Sequence, residues 1–234
     1  LEPDANVVVF MGDYFDSRDR LAGAKQLQNF LDIVAWKLEM EALGTKDVVM
    51  LFGNHDFHYM PWFTRDPYSG FLPYMASKYR KALVSNMHHL SLAHAQGDVL
   101  FTHAGVSVEW LNRFAVKQDS ETPWLRLSAS DIAKAVNDTF VQFPQRFNFN
   151  GFNPYGDDPQ QSPIWIRPWA LEIANIGRLD ARLIQVFGHT VSKDPEAVFQ
   201  KSLESEGHKY FHADMLSDRK FLVLDGDSFH LRNV

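Results

Sequence analysis

The sequence predicts an α/β fold, because short apolar runs typical of buried strands alternate with segments of helical periodicity. Val48 to Phe52 are five consecutive apolar residues closed by Gly53, a pattern typical of a strand buried on both faces. Similar runs occupy residues 7–11, 99–101 and 183–187. Between the run at 7–11 and the run at 48–52, apolar residues recur at helical spacing, so we expect a βαβ unit with parallel strands and a right-handed connection.

Each of the four runs is followed by polar side chains that can bind a metal ion or carry a proton. These segments are Gly12-Asp13-Tyr14-Phe15-Asp16, Gly53-Asn54-His55-Asp56, Thr102-His103-Ala104-Gly105 and Gly188-His189-Thr190. Open α/β sheets bind their ligands at the carboxyl ends of strands. Oxygen and imidazole atoms delivered there suit a divalent cation, so the pattern predicts a metal site.

Length and composition indicate a single globular domain over residues 1–234 and exclude several other classes of protein. No apolar run approaches 18 residues, so a transmembrane span is not expected. The formal charge of −6 argues against a general nucleic-acid or anionic-membrane binder. The absence of cysteine excludes thiolate metal sites, cysteine nucleophiles and disulfides, and is compatible with a cytoplasmic location. The oligomeric state is not indicated.

The remaining segments give coarser predictions. Leu27 to Leu38 should lie on a helix that Gly44 terminates, and a second helix should begin at Ser128 or Ser130 and end before Pro144. Residues 221–231 indicate a hairpin. The aromatic segment 57–79 is either a separate cluster of packed rings or a rim that faces substrate. The long polar loop 147–163 suggests a functional or mobile connection.

The four polar segments, in this order, resemble the sequence blocks of the metallophosphoesterase superfamily. Its blocks G-D-x-x-D, G-N-H-[DE], H-[AG]-G and G-H match residues 12–16, 53–56, 103–105 and 188–189. The resemblance implies two mixed β-sheets packed as a sandwich flanked by helices. It also implies a metal-dependent hydrolase of phosphoric esters.

The second residue after the last block separates branches of this superfamily. Nuclease-like and phosphodiesterase-like branches carry a second His where this sequence has Val191. The chain is more similar to serine/threonine phosphoprotein phosphatases and to bacterial diadenosine-tetraphosphatase-like enzymes, which share G-H-T and a block like Trp165-Ile166-Arg167. The implied substrate is a phosphomonoester or phosphoanhydride on a protein or a small molecule. The alternatives are a phosphodiesterase or nuclease of the same superfamily, and a non-catalytic module with this fold.

The resemblance also assigns roles to individual residues. Asp13 would bridge two divalent ions, of Mn, Fe, Zn or Mg, and a hydroxide shared by the ions would attack phosphorus. The ligands that complete one ion's shell would be Asn54, His103 and His189. Asp16 would orient His55, the general acid, although Asp16 could instead cap the following helix. Arg167 would bind phosphate, or else form an ordinary surface ion pair. Arg18 is a further phosphate-binding candidate, displaced by one position because Ser17 intervenes. Asp56 and the other histidines receive no catalytic role.

The family's first block, D-x-H, has no counterpart before Gly12. Residues 1–11 contain Asp4 but no His. We therefore expect a domain that is amino-terminally incomplete, with its first strand missing and with ligands for only one complete metal position. Two accounts are open, a truncated chain or a protein that has lost this half-site. Either predicts weak hydrolysis by the chain as given.

Overall fold

The structure is a computed structural model that describes residues 4–17, 21–63, 70–117, 122–149, 156–204 and 209–234. The helices in these ranges are α1 (Gly23–Leu43), α2 (Asn54–Phe57), α3 (Ala76–Ser85), α4 (Val108–Phe114), α5 (Ala129–Gln142), α6 (Pro168–Asn175) and α7 (Pro195–Glu204). The strands are β1 (Val7–Phe10), β2 (Asp47–Leu51), β3 (Leu90–Ser91), β4 (Ala93–Gln96), β5 (Val99–Thr102), β6 (Ile184–Phe187), β7 (Lys209–His212), β8 (Lys220–Asp225) and β9 (Ser228–Asn233). No helix in the described ranges is both long and apolar enough to cross a membrane.

The strands form two main sheets and a hairpin. The first sheet has the order β1-β2-β3 and is parallel, and the second has the order β4-β5-β6-β7. In the second sheet only the pair β4 and β5 is antiparallel, because a tight turn at Gly97 joins these two strands, whereas the parallel neighbours are linked by long connections. The predicted α/β architecture of two sheets flanked by helices is confirmed, with the described strands of the first sheet all parallel.

The two sheets share one hydrophobic core. Met50 from the first sheet and Leu100 from the second belong to the same cluster of buried side chains. Helices α1 and α5 contribute Phe30 and Ile132 to this cluster, and all four side chains are at most 1 % exposed. Burial of these apolar surfaces is what holds the layers together.

Local signals fix the ends of two helices as predicted. Helix α1 stops where Gly44 adopts a left-handed conformation at φ 61°, a conformation that glycine adopts at little steric cost. Helix α5 begins after Ser128, whose hydroxyl accepts a hydrogen bond from the N–H of Asp131 while the Asp131 carboxylate accepts one from Ser128. The predicted hairpin is the pair β8 and β9.

The described part of the aromatic segment packs into the main core, so the expected separate cluster is wrong. Tyr59 and Tyr79 are fully buried there, and Trp62, Phe63 and Phe71 pack against the same cluster. The rings can reach the core because 3-10 and α-helical turns at 73–85 fold the chain back over α1. Residues 64–69, including Tyr68, lie outside the described ranges.

Candidate active site

The loops that follow β1, β2, β5 and β6 bring Asp13, Asn54, His103 and His189 to one point. Oδ1 of Asn54 lies 2.9 Å from Nε2 of His103 and 2.8 Å from Nδ1 of His189. Nε2 of His103 lies 3.4 Å from Oδ2 of Asp13. One ligand atom each from Asp13, His103 and His189 lies within 4.8 Å of the other two. The site therefore sits where the strand ends of both sheets meet.

The donor atoms at this point fit a cation. Nδ1 of His103 lies 2.6 Å from the carbonyl oxygen of Met11, which can only accept a hydrogen bond, so the ring carries its proton on Nδ1. Nε2 of His103 faces the amide oxygen of Asn54 and the carboxylate of Asp13, and in the neutral ring this nitrogen carries the lone pair that can bind a cation. A cation bound between these acceptor atoms would offset their mutual repulsion. Metal-binding imidazoles are commonly oriented in this way, by a hydrogen bond from the other ring nitrogen to a backbone carbonyl.

The charges of the site follow from burial and from neighbouring groups. Burial raises the pKa of Asp13, but the surrounding imidazoles, His103 first among them, outweigh burial and lower this pKa overall. Burial, together with His103 and Arg167, lowers the pKa of His189 well below its usual range. An ionised carboxylate and a neutral imidazole are the forms that bind a metal ion.

Asp56 holds the first two loops of the site together. Its carboxylate accepts hydrogen bonds from the backbone N–H groups of Asp13, Tyr14 and Gly53, each at 2.9 Å. The side chain is fully buried. Burial and the nearby Asp13 carboxylate raise the pKa of Asp56 to about 7, against the effect of the backbone donors. Asp56 is thus a structural clamp between the loop after β1 and the loop after β2.

Backbone strain is concentrated at the site. Within the described ranges four non-glycine residues have positive φ, and three of them are Asp13 at 59°, Asp16 at 62° and His189 at 64°. Each such conformation costs on the order of 1–3 kcal/mol and persists only where surrounding contacts enforce it. The contacts of Asp56 enforce it at Asp13.

A second group of side chains surrounds the carboxylate of Asp16, and the side chain of Asp16 is fully buried. Nδ1 of His55 lies 3.1 Å and Nδ1 of His58 3.3 Å from Oδ2, and the Tyr59 hydroxyl donates to Oδ1. Asp16, His55 and His58 are also close enough to hold a cation. Hydrogen bonds from these donors nevertheless account for each short contact of the carboxylate. The helix after Asp16 begins at Gly23 with Ala22 at its N-cap position, so the capping interpretation of Asp16 is wrong.

The two histidines on Asp16 differ in their surroundings. The His55 side chain is 22 % exposed, and its backbone N–H donates to Oδ1 of Asp13 at 3.0 Å. Burial lowers the pKa of His55, but the hydrogen bond to Asp16 and the charge of Asp13 outweigh it and raise the pKa. The side chain of His58 is fully buried, and burial lowers its pKa. His55 is therefore the imidazole that is open to solvent and favours a proton.

Arg167 lies beside the metal-binding candidates. Its Nη1 donates to the carbonyl oxygen of His189 at 3.3 Å and to the hydroxyl of Thr190 at 3.0 Å. Close packing positions the side chain, since a Cβ on Gly156 would lie 3.2 Å from Cγ of Arg167. The other predicted phosphate-binding residue, Arg18, lies outside the described residues.

The sequence allows a structural role for Asp56, and the structure gives it one that depends on the N–H groups of Asp13 and Tyr14, which are distant in sequence, and of Gly53, which is near. His58 and Tyr59 are not predicted as site residues. One signal was available, since His58 follows His55 by three residues on a helical turn and so projects from the same side.

Comparison with known proteins adds one decisive match. The model of the calcineurin-like phosphoesterase family matches residues 1–193. The chain belongs to the calcineurin-like phosphoesterase family. Comparisons with curated proteins and with solved structures gave no match. Membership in the calcineurin-like phosphoesterase family assigns the chain in general to metal-dependent phosphoesterases, which act on phosphorylated substrates, and the Asp and His cluster provides candidate ligands for a divalent metal.

Proposed function

We propose that this calcineurin-like phosphoesterase hydrolyses a phosphomonoester or phosphoanhydride, on a phosphoprotein or a nucleotide-type molecule. The observation that carries the proposal is the convergence of Asp13, Asn54, His103 and His189 beside the pair formed by Asp16 and His55. A bound cation can lower the pKa of water, and a histidine with a carboxylate partner can give a proton to the leaving oxygen, so the two components together suit phosphate ester hydrolysis.

Four residues share one role in the proposed reaction. Asp13, Asn54, His103 and His189 would hold a divalent cation, for which manganese is our first candidate. The bound cation would lower the pKa of water and neutralise negative charge that develops on the phosphoryl oxygens.

The proton and the phosphate are handled by other side chains. Nδ1 of His55 donates to Asp16, so Nε2 of His55 is the atom that can give a proton to the leaving oxygen. Arg167 lies beside His189, where its positive charge would attract phosphate oxygens.

The preference for monoesters rests on the last block. Val191 follows Gly188-His189-Thr190, so this block has no second histidine. The hydroxyl of Thr190 accepts a hydrogen bond from Arg167. This arrangement supports similarity to the phosphoprotein phosphatase and diadenosine-tetraphosphatase-like branch. The acidic net charge of −6 supports a substrate other than a nucleic acid. The cytoplasmic location remains a prediction.

Hydrolysis of p-nitrophenyl phosphate and of bis(p-nitrophenyl) phosphate with added Mn²⁺ tests the proposal. We expect faster turnover of the monoester, and loss of both turnover and Mn²⁺ binding in Asn54→Ala. The exposed residue Asn112 on α4 provides a control, since Asn112→Ala should leave both unchanged. Faster turnover of the diester would favour a phosphodiesterase. Mn²⁺ binding without turnover of either substrate would favour a non-catalytic module.

A further inference from the structure

The carboxylate of Asp16 is held by more groups than the pair with His55 requires. Oδ2 is shared by the imidazoles of His55 and His58, and Oδ1 accepts from Tyr59. An ionised carboxylate has no proton to give, so both imidazoles donate from Nδ1. Both oxygens of Asp16 therefore accept hydrogen bonds, and these bonds fix the orientation of the carboxylate plane.

The phenol of Tyr59 has a fixed orientation. The backbone N–H of Leu72 donates to the phenol oxygen at 3.0 Å, so the phenol's own proton is directed to Asp16. The ring stacks on Phe71 with centroids 4.8 Å apart and meets Tyr79 edge-on at 4.9 Å. Gly70 packs closely against Asp16, since a Cβ on Gly70 would lie only 2.9 Å from Cβ of Asp16. The segment around residue 71 thus packs on both Tyr59 and Asp16.

His58 is held with similar precision. Its ring lies 5.0 Å from that of Phe63 and 6.0 Å from that of Trp165, and its side chain is fully buried. Helix α2 ends with Phe57, so a single turn of backbone carries both His55 and His58 to the same carboxylate oxygen. The ring of His58 also limits the space into which the ring of His55 can turn, with centroids 5.1 Å apart.

We propose that His58 and Tyr59 are positioning residues that fix Asp16 and, through it, the ring of His55. The inference rests on the proposed phosphatase function and assigns a role to the aromatic segment 57–79. The described part of this segment lines the back of the proton-transfer pair. With the carboxylate held on both oxygens, the Nδ1 bond of His55 has one geometry, and Nε2 is presented in one direction.

The test compares two phenols of the same aromatic cluster. Tyr59→Phe removes the hydroxyl that touches Asp16, whereas Tyr79→Phe removes a buried hydroxyl that donates to the carbonyl oxygen of Gly23 at 3.0 Å. His58→Ala removes the second donor, and His58→Asn restores an N–H near the position of Nδ1. Substrates with alkyl and with aryl leaving groups are compared at saturating concentration with Mn²⁺, since only the alkyl oxygen needs a proton as it leaves.

We expect Tyr59→Phe and His58→Ala to lower kcat for alkyl phosphates by about 10-fold, with a smaller loss for aryl phosphates and with unchanged KM. Tyr79→Phe should leave the ratio of the two kcat values unchanged, and His58→Asn should recover part of the loss. Equal losses in Tyr59→Phe and Tyr79→Phe, or equal losses on both substrates, would overturn the inference.

A second readout does not depend on turnover. In protein labelled with ¹⁵N-histidine, the Nδ1–H resonance of His55 should shift in Tyr59→Phe and stay in place in Tyr79→Phe. An unchanged resonance in Tyr59→Phe would overturn the inference even if activity fell. A shifted resonance in a protein that hydrolyses no phosphate ester would support the positioning role and contradict the proposed function.

Discussion

Replacement of Gly53 by alanine should disable the metal site through one steric conflict. A Cβ at this position would lie 2.2 Å from Oδ1 and 2.5 Å from the backbone nitrogen of Asp13. Gly53 has φ −101° and ψ 172°, values that alanine adopts without strain, so the effect of the substitution is purely steric. Carbon and oxygen atoms approach to about 3.3 Å, so the Asp13 carboxylate must move by about 1 Å.

A movement of this size exceeds what metal coordination tolerates, since ligand distances are fixed to about 0.2 Å. It also breaks the hydrogen bond from the His55 N–H to Oδ1 of Asp13. We expect at least a ~10-fold weaker affinity for Mn²⁺. The crowding should also cost about 1–3 kcal/mol in free energy of unfolding. Isothermal titration calorimetry with Mn²⁺ measures the first effect, and denaturant unfolding measures the second.

Gly188 provides the matched control, because it precedes the ligand His189 as Gly53 precedes the ligand Asn54. A Cβ on Gly188 would meet nothing closer than 3.6 Å. Gly188→Ala should therefore keep Mn²⁺ affinity and stability close to those of the unmodified protein. Full Mn²⁺ affinity in Gly53→Ala, or the same loss in both variants, would refute the steric reasoning.

Three further predictions concern single side chains. His55→Ala should lower kcat for alkyl phosphates by about 10²–10⁴ with unchanged Mn²⁺ affinity, and less for aryl phosphates; steady-state kinetics with both substrates checks this, and equal losses would exclude a general acid. Asp56→Asn should lower the free energy of unfolding by about 1–3 kcal/mol or more, as measured in urea, because an amide cannot accept from three backbone N–H groups; an unchanged midpoint would contradict the clamp. Burial, helped by Lys201, lowers the pKa of His212 to about 4 in the folded protein. Since the unfolded chain binds a proton on His212 more readily, the free energy of unfolding should fall by about 3 kcal/mol from pH 7 to pH 4. In His212→Gln that decline should be smaller by the same amount, and parallel curves for the two proteins would show that His212 is not responsible.

The parts of the fold that sequence predicts are those determined by local chemistry. Val48 to Phe52 identifies a buried strand from composition alone, Gly44 stops a helix because of its left-handed conformation, and Ser128 starts one through its hydroxyl. The ligand candidates could be found because each directly follows such a strand, where α/β folds place their sites.

The parts that sequence does not predict depend on contacts between distant segments. Strand β4, Ala93–Gln96, lacks β-branched residues and exists because it pairs with β5 across a tight turn. Tyr59 reaches Asp16 across 43 positions of sequence, and nothing local distinguishes it from the other aromatic residues nearby. The three N–H groups that bind Asp56 belong to the backbone, which carries no sequence signal.

We propose that Asp13, Asn54, His103 and His189 form a cation site, and an anomalous difference map from crystals grown with Mn²⁺ would show whether they do. The predicted result is a peak about 2.0–2.4 Å from Oδ1 of Asn54, Nε2 of His103 and Nδ1 of His189, with the Asp13 carboxylate also in contact. A tightly bound ion found instead between Asp16, His55 and His58, with none at the four predicted ligands, would contradict this assignment of the metal site.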